Sequence, residues 1–128
     1  MPCFHMEQQD WSFQRKPYDV RERLFNFACV IVRLVQYLRT RGPIATSLSD
    51  QILKAANSAG ANYEETDDGS SPADTRGKRR ITLRELKETL FRLRVLRETG
   101  YLEPIHDPVI QEALELKKIV ATIIRNSR

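Results

Sequence analysis

The fold is decided first by residues 19–38, which read DVRERLFNFACVIVRLVQYL. Apolar side chains recur there every three or four positions, the spacing that puts them on one face of an α-helix. The members of this row are Leu24, Phe27, Ile31, Leu34, Val35 and Leu38. Asp19 precedes the pattern, where its carboxylate can accept a hydrogen bond from the first turn. The stretch therefore predicts an amphipathic helix that ends before Gly42-Pro43.

A second row on the same helix holds Phe25, Cys29, Val32 and Gln36. One apolar stripe is enough to face the core of a bundle. The extra row therefore predicts another buried contact, between subunits, and we read Cys29 as a small buried hydrophobe. Cys3 and Cys29 are too few for a disulfide framework or a metal site.

Three more helices follow from the same pattern. The second opens at Thr46 or Ser47 and runs to about residue 65; Gly60 in its interior implies a close helix approach or a bend, since glycine costs about 1 kcal/mol there. Residues 68–77 have the composition of a linker. The third helix runs from about Lys78 to Thr99, and the fourth follows an Asp107 cap with Pro108 at its first position. Their inner positions are Leu48, Ile52, Ala55, Ala56, Ala59, Tyr63, Leu83, Leu86, Leu90, Leu93, Leu96, Val109, Ala113, Leu116, Val120 and Ile123.

Four amphipathic helices with short connections predict an all-α, antiparallel up-down four-helix bundle over residues 18–128. No segment alternates with a period of two, so no strand is expected. Residues 1–17 show no periodicity, hold Trp11 and Phe13 among polar residues, and end at Pro17. We expect them to form a flexible N-terminal arm that a partner orders.

Length and composition exclude several classes of protein. The 128 residues fit one domain, and 41% hydrophobic content supplies a core. No apolar run reaches the roughly 18 residues of a membrane span. The start, MPCFHMEQQDWSF, lacks the basic and apolar regions of a signal peptide. A cytoplasmic protein without a membrane partner is the expectation.

Charge is unevenly distributed along the chain. The formal net charge is +4, but residues 76–99 alone carry +6 and residues 44–68 carry −4. A basic stripe can bind phosphates, and it can equally stay solvated or pair with an acidic neighbour. The candidate phosphate contacts are Arg76, Lys78, Arg79, Arg80, Arg84 and Lys87.

Enzyme chemistry has little support. Di-iron bundles use Glu-x-x-His motifs on facing helices, and the sequence, with His5 before the first helix and His106 in a turn, offers no such pair. Ser47, Ser49 and Ser58 have no histidine in helical register. We expect no catalytic residue, no metal and no cofactor. Polar side chains at or beside the inward stripes instead predict a buried polar layer that fixes helix register. Its members are Asn62, Glu65, Glu88 and Arg94.

Two motifs carry a resemblance to a known family. Residues 51–65 read QILKAANSAGANYEE, and residues 85–102 contain ELKET, LRVL and ETGYL. At this spacing they resemble the bacterial four-helix-bundle family of ribosomal RNA intervening-sequence proteins over roughly residues 19–125. Two positions depart from the family pattern: Arg92 stands where an aromatic residue is common, and Ala59 where isoleucine is usual.

The resemblance implies a bundle that assembles into a ring, commonly a pentamer. A relative, the accessory protein of diversity-generating retroelements, forms a basic pentameric barrel that binds a reverse transcriptase and nucleic acid. Five copies of this chain would carry +20 and repeat the basic third helix around an axis. With Arg92, the second row of the first helix becomes the candidate oligomer interface.

Two functional hypotheses follow. The first is a non-enzymatic oligomeric module that binds RNA or DNA with weak sequence specificity, because no motif that reads bases is visible. The second is an interaction scaffold or accessory subunit for a protein such as a reverse transcriptase, with no direct nucleic-acid role; the aromatic arm and the spare face of the first helix support it.

Overall fold

The computed structural model describes residues 10–13, 19–67 and 71–127, and within these ranges it contains helices and no strand. The four α-helices are α1 (Val20–Leu38), α2 (Pro43–Glu64), α3 (Pro72–Glu98) and α4 (Asp107–Asn126). Short 3-10 turns lie at Arg39–Arg41, Glu65–Asp67 and Pro104–His106. The predicted all-α class is confirmed.

The helices form a bundle in which each helix packs on the next and α4 returns to α1. At one end, Arg41 after α1 donates to the backbone carbonyls of Gly100 and Tyr101 after α3, at 3.4 and 3.3 Å. At the other end, Arg79 near the start of α3 donates to Ser127 after α4, at 3.1 Å. Neighbouring helices therefore run antiparallel.

The core matches the predicted stripes closely. All six residues of the first row on α1 are buried, and Phe27, Ile31 and Leu34 are fully so. The predicted inner positions of the other helices are also buried, except that Leu48, Leu83 and Ile123 are only partly covered. The predicted cap is present too, because the backbone N–H of Arg21 donates to Asp19 Oδ1 at 3.0 Å.

Two helices begin several residues earlier than the sequence predicts, and α4 begins at Asp107 itself, the residue predicted as its cap. The N-cap of α2 is Gly42 (φ 107°), and Pro43 is its first residue, so the predicted start at Thr46 or Ser47 is wrong. In α3 the hydroxyl of Ser71 accepts from the backbone N–H of Asp74 at 3.2 Å, and Pro72 follows it. Most of the predicted linker is thus helix. Proline breaks a helix interior but suits a first turn, whose N–H groups have no partner.

A glycine terminates α3. Gly100 has φ 87°, a conformation that glycine adopts without steric cost. The backbone N–H of Tyr101 donates to the carbonyl of Leu96 at 2.9 Å, and that of Gly100 to Arg97 at 3.3 Å. This double closure is the Schellman motif. It turns the chain into the short connection that leads to α4.

Trp11 belongs to the core, with only 4% of its surface exposed. Its ring lies 5.3 Å from that of His106, and Phe13 packs beside the core. The expectation of a flexible arm is therefore wrong for residues 10–13, because the indole finds apolar cover that the local sequence does not reveal. The rest of the predicted arm lies outside the described residues.

Candidate nucleic-acid interface

The outward face of α3 carries a row of cations. Helical spacing of three, four or seven residues places them on one side of the helix, opposite the buried Leu86 and Leu93. All are exposed except the half-buried Arg76. The cations of this outward row are Arg76, Arg80, Arg84, Lys87 and Arg94. The buried leucines on the opposite side of α3 thus hold this row of cations facing away from the core.

Most of this row keeps its charge unopposed. Arg84 Nε lies 3.4 Å from Glu85 Oε1, at the limit of a hydrogen bond, and the Arg84 side chain is 64% exposed. Among the residues that the structure describes, Arg80, Lys87 and Arg94 form no ion pair. A row of solvated cations on one helix face is the geometry that phosphate backbones bind.

Two of the predicted phosphate contacts lie elsewhere. Lys78 points toward the end of α2, where its Nζ contacts Glu65 Oε1 at 2.8 Å. Arg79 is half-buried at the end of the bundle, with its guanidinium 5.8 Å from the ring centroid of Tyr63 and its Nη1 bonded to Ser127. Arg79 Nε is buried and finds no hydrogen-bond partner among the described residues. Charge alone could not separate these two residues from the outward row, because the separation depends on helical phase.

Phe91 lies in the same row and was missed by the analysis of charge. It follows Lys87 by four residues and precedes Arg94 by three, so it lies on their face of α3. It is 63% exposed, the most of the exposed large apolar side chains in the described chain. The signal was available, since Phe91 falls outside the spacing of the buried leucines.

The second row of α1 lies on the surface of the single chain. Phe25 is 56% and Val32 42% exposed, and Cys29 and Gln36 are exposed as well. The expectation of a buried Cys29 is therefore wrong for the isolated chain, because only one stripe of α1 faces the core. Cys29 remains a candidate for burial between copies.

A groove of about 380 Å³ runs beside this row, between α1 and α2. Phe25 and Ala28 line it from α1, and Gly60 and Ala61 from α2. A Cβ added at Gly60 would meet the backbone oxygen of Leu24 at 3.8 Å, which is ordinary contact. The helices do approach closely there, as predicted, but not so closely that only glycine fits.

Arg92 does not join the α1 row. It is half-buried beside α2, where its Nε donates to Gln51 Oε1 at 2.8 Å. The predicted oligomer residues therefore occupy two separate places in the single chain: one face of α1, and the junction of α2 with α3.

The predicted polar layer does not form. Asn62 donates to Ser58 of its own helix at 2.9 Å, Glu65 pairs with Lys78, and Glu88 and Arg94 are exposed. Helical phase explains the error, because Glu88 lies two positions from both Leu86 and Leu90 and is turned out of the core.

The buried polar groups are others. They are Ser49, Thr82, Thr89, His106 and Glu112. Thr82 donates to the backbone carbonyl of Ala59 at 2.9 Å and so ties α3 to α2. Glu112 of α4 accepts two hydrogen bonds from Arg23 of α1, at 2.6 and 3.1 Å. These contacts position the helices relative to one another.

His106 closes the end of the bundle near Trp11. Its ring centroid lies 4.9 Å from that of Tyr37, and its Nδ1 accepts from the backbone N–H of Glu103 at 2.9 Å. Burial lowers the pKa of His106, because the charged imidazolium loses hydration there. The neutral ring is therefore favoured, which suits a structural residue.

The described ranges were also compared with the geometry of metal sites and of membrane-spanning helices. Residues 10–13, 19–67 and 71–127 contain no group of three or more His, Cys, Asp or Glu side chains placed to hold a metal ion. None of the helices in these ranges combines the length and apolar character needed to cross a bilayer.

Comparisons with known proteins agree with this fold. Residues 16–122 match the family model described as 23S rRNA-intervening sequence protein. A crystal structure from Bacteroides thetaiotaomicron, described as a protein of unknown function from the S23 ribosomal protein family, is similar to this chain at 30% identity. The match has a TM-score of 0.75 and covers 83% of this chain and 98% of that one. The comparison with curated proteins gives no match.

Proposed function

We propose that this chain, which belongs to the family of 23S rRNA-intervening sequence proteins, is a non-enzymatic module that binds RNA or DNA through the outward row of α3. The observation that carries the proposal is the run of exposed cations Arg80, Arg84, Lys87 and Arg94 on one helix face. The proposed location is the bacterial cytoplasm, where the protein would meet RNA and DNA.

The proposed binding is mainly electrostatic. Lysine and arginine side chains that neutralise phosphates release counterions, and this release drives association at low salt. The row contains no asparagine or glutamine beside its arginines to read adenine. Sequence preference should therefore be weak.

We further propose that copies of the chain assemble into a ring, a pentamer by resemblance, and so repeat the outward row around an axis. The exposed Phe25 and Val32 and the neighbouring groove support this assembly, since contiguous apolar surface on a small domain marks an interaction site. A monomer with one row would make few phosphate contacts, and several copies would add their contacts by avidity.

The test removes three charges from the row and compares a control that removes three elsewhere. The row variant is Arg80→Gln, Arg84→Gln and Lys87→Gln. The control is Lys54→Gln, Lys118→Gln and Arg125→Gln, all exposed and outside α3. Both variants carry the same net charge, so a difference in binding reports where the charges lie rather than how many there are.

Fluorescence anisotropy with a labelled mixed-sequence RNA gives the affinity at several salt concentrations. For single strands each phosphate contact contributes about 0.7 to the slope of log K against log salt. The row variant should therefore lose roughly 2 from the slope per bound copy, while the control keeps the slope of the unmodified protein. Equal behaviour of the two variants would reject the row as the binding surface.

An alternative function is supported by a different surface. The exposed row of α1 and its groove would suit an accessory subunit that binds a protein such as a reverse transcriptase, with no direct nucleic-acid role. Trp11 no longer supports that alternative, since it is buried in the bundle. Two results would favour this alternative: no RNA binding at low salt, and a Phe25 side chain that stays accessible in the assembled protein.

A further inference from the structure

The exposed ring of Phe91 lies in the middle of the cationic row. It is 63% exposed, although burying a phenylalanine side chain stabilises a protein by roughly 1.5–3 kcal/mol. Phe91 is also not one of the predicted oligomer residues; its neighbour Arg92 is, but that side chain turns toward Gln51 of α2.

The charges around Phe91 are arranged asymmetrically. Lys87 lies one turn before it and Arg94 one turn after it, both on the α4 side of the helix face by helical phase. The α2 side holds the exposed Glu88 instead. A polyanion that follows the cations would pass along the α4 side of Phe91 and avoid Glu88.

Base and phosphate together fit this arrangement. An aromatic side chain offers a flat apolar surface on which an unpaired base can stack, while neighbouring cations hold the backbone phosphates. In a duplex the bases are already stacked on each other, so an exposed phenylalanine on a convex helix has no base to receive.

We propose that Phe91 is a stacking platform, and that the ligand of the α3 row is single-stranded nucleic acid rather than duplex. This inference rests on the proposed function and specifies its ligand. Lys87 and Arg94 hold the phosphates on either side of the stacked base, and Arg80 and Arg84 extend the path toward the start of α3.

The experiment compares three probes on the full chain: a mixed-sequence RNA strand of about 16 nucleotides without self-complementarity, the same strand in a duplex, and inorganic polyphosphate, which has charge but no base. Four proteins are tested: the unmodified chain, Phe91→Ala, Phe91→Leu and Phe91→Trp. Leucine keeps apolar bulk without a ring, and tryptophan keeps the ring. The exposure of Phe91 makes unfolding of these variants unexpected, and circular dichroism checks it.

We expect the unmodified chain to bind the single strand more tightly than the duplex. The alanine and leucine variants should bind the single strand roughly 5- to 150-fold more weakly and polyphosphate unchanged. The tryptophan variant should retain binding, and the strand should quench its added indole emission.

The proposal is overturned if alanine and leucine variants bind the single strand as tightly as the unmodified chain, or if the duplex is preferred. It is also overturned if Phe91→Ala changes the mass of the protein in light scattering without nucleic acid, since Phe91 would then be a contact between copies. A failure of the proposed function itself would give a different result. The row variant with Arg80, Arg84 and Lys87 replaced would then bind single-stranded and duplex RNA as tightly as the unmodified chain.

Discussion

Replacing Glu112 by glutamine should weaken the bundle far more than the same change at Glu115, although both carboxylates contact Nη2 of Arg23. Glu112 Oε1 lies 2.6 Å and Glu115 Oε1 3.1 Å from that nitrogen. The side chain of Glu112 is 1% exposed and that of Arg23 12%, whereas Glu115 is 35% exposed. Burial, rather than distance, separates the two pairs.

The size of the effect follows from that burial. Breaking a buried ion pair by removing one partner costs about 3–5 kcal/mol. Glutamine keeps the shape of Glu112 and Arg23 keeps its contact with Glu115, so we expect about 2 kcal/mol for Glu112→Gln. The half-exposed Glu115 should contribute about 0.5 kcal/mol.

Urea unfolding followed by circular dichroism, at one protein concentration, measures both variants. In thermal unfolding of a domain of this size, the same 2 kcal/mol corresponds to a fall in Tm of roughly 6–10 °C. The ion pair joins α1 to α4, so both helices should be lost in the same transition. Equal losses for the two variants, or a larger loss for Glu115→Gln, would refute the placement of Glu112 in the core.

Three further predictions use other parts of the bundle. Gly60→Ala should raise the unfolding free energy by about 1 kcal/mol, since the added Cβ would meet Leu24 at ordinary contact distance. Gly77→Ala, with open space around it, is the matched control. If Gly60→Ala destabilises the protein while Gly77→Ala stabilises it, α1 and α2 lie closer together than described. Because burial lowers the pKa of His106, the unfolded chain binds more protons than the folded chain below about pH 6.5. The contribution of His106 to stability should therefore be complete above that pH and fall as the pH drops below it, and His106→Asn should flatten this dependence. Trp11 is the single tryptophan, so native fluorescence should be blue-shifted and resist acrylamide, and emission like that of free tryptophan would contradict its burial.

The core of the bundle could be predicted because periodicity alone determines it. Leu24, Phe27 and Ile31 must face one way whatever their partners are, and they are fully buried. Helix starts were harder to predict, because Gly42-Pro43 and Ser71-Pro72 combine residues that occur both in loops and at N-termini.

The candidate site was only partly predictable, because charge does not specify helical phase. Arg79 and Arg80 are neighbours in the sequence, yet Arg79 stacks on Tyr63 and Arg80 is exposed. Burial of Trp11 and Glu112 depends on partners distant in the sequence, His106 and Arg23, which no local pattern reveals.

Multi-angle light scattering at physiological salt, with and without a short mixed-sequence RNA, tests assembly and binding together. We expect an assembly of several chains, near five by resemblance, whose mass rises when RNA is added and no longer rises at high salt. An assembly whose mass ignores RNA, even at low salt, would contradict the proposed nucleic-acid interface on α3.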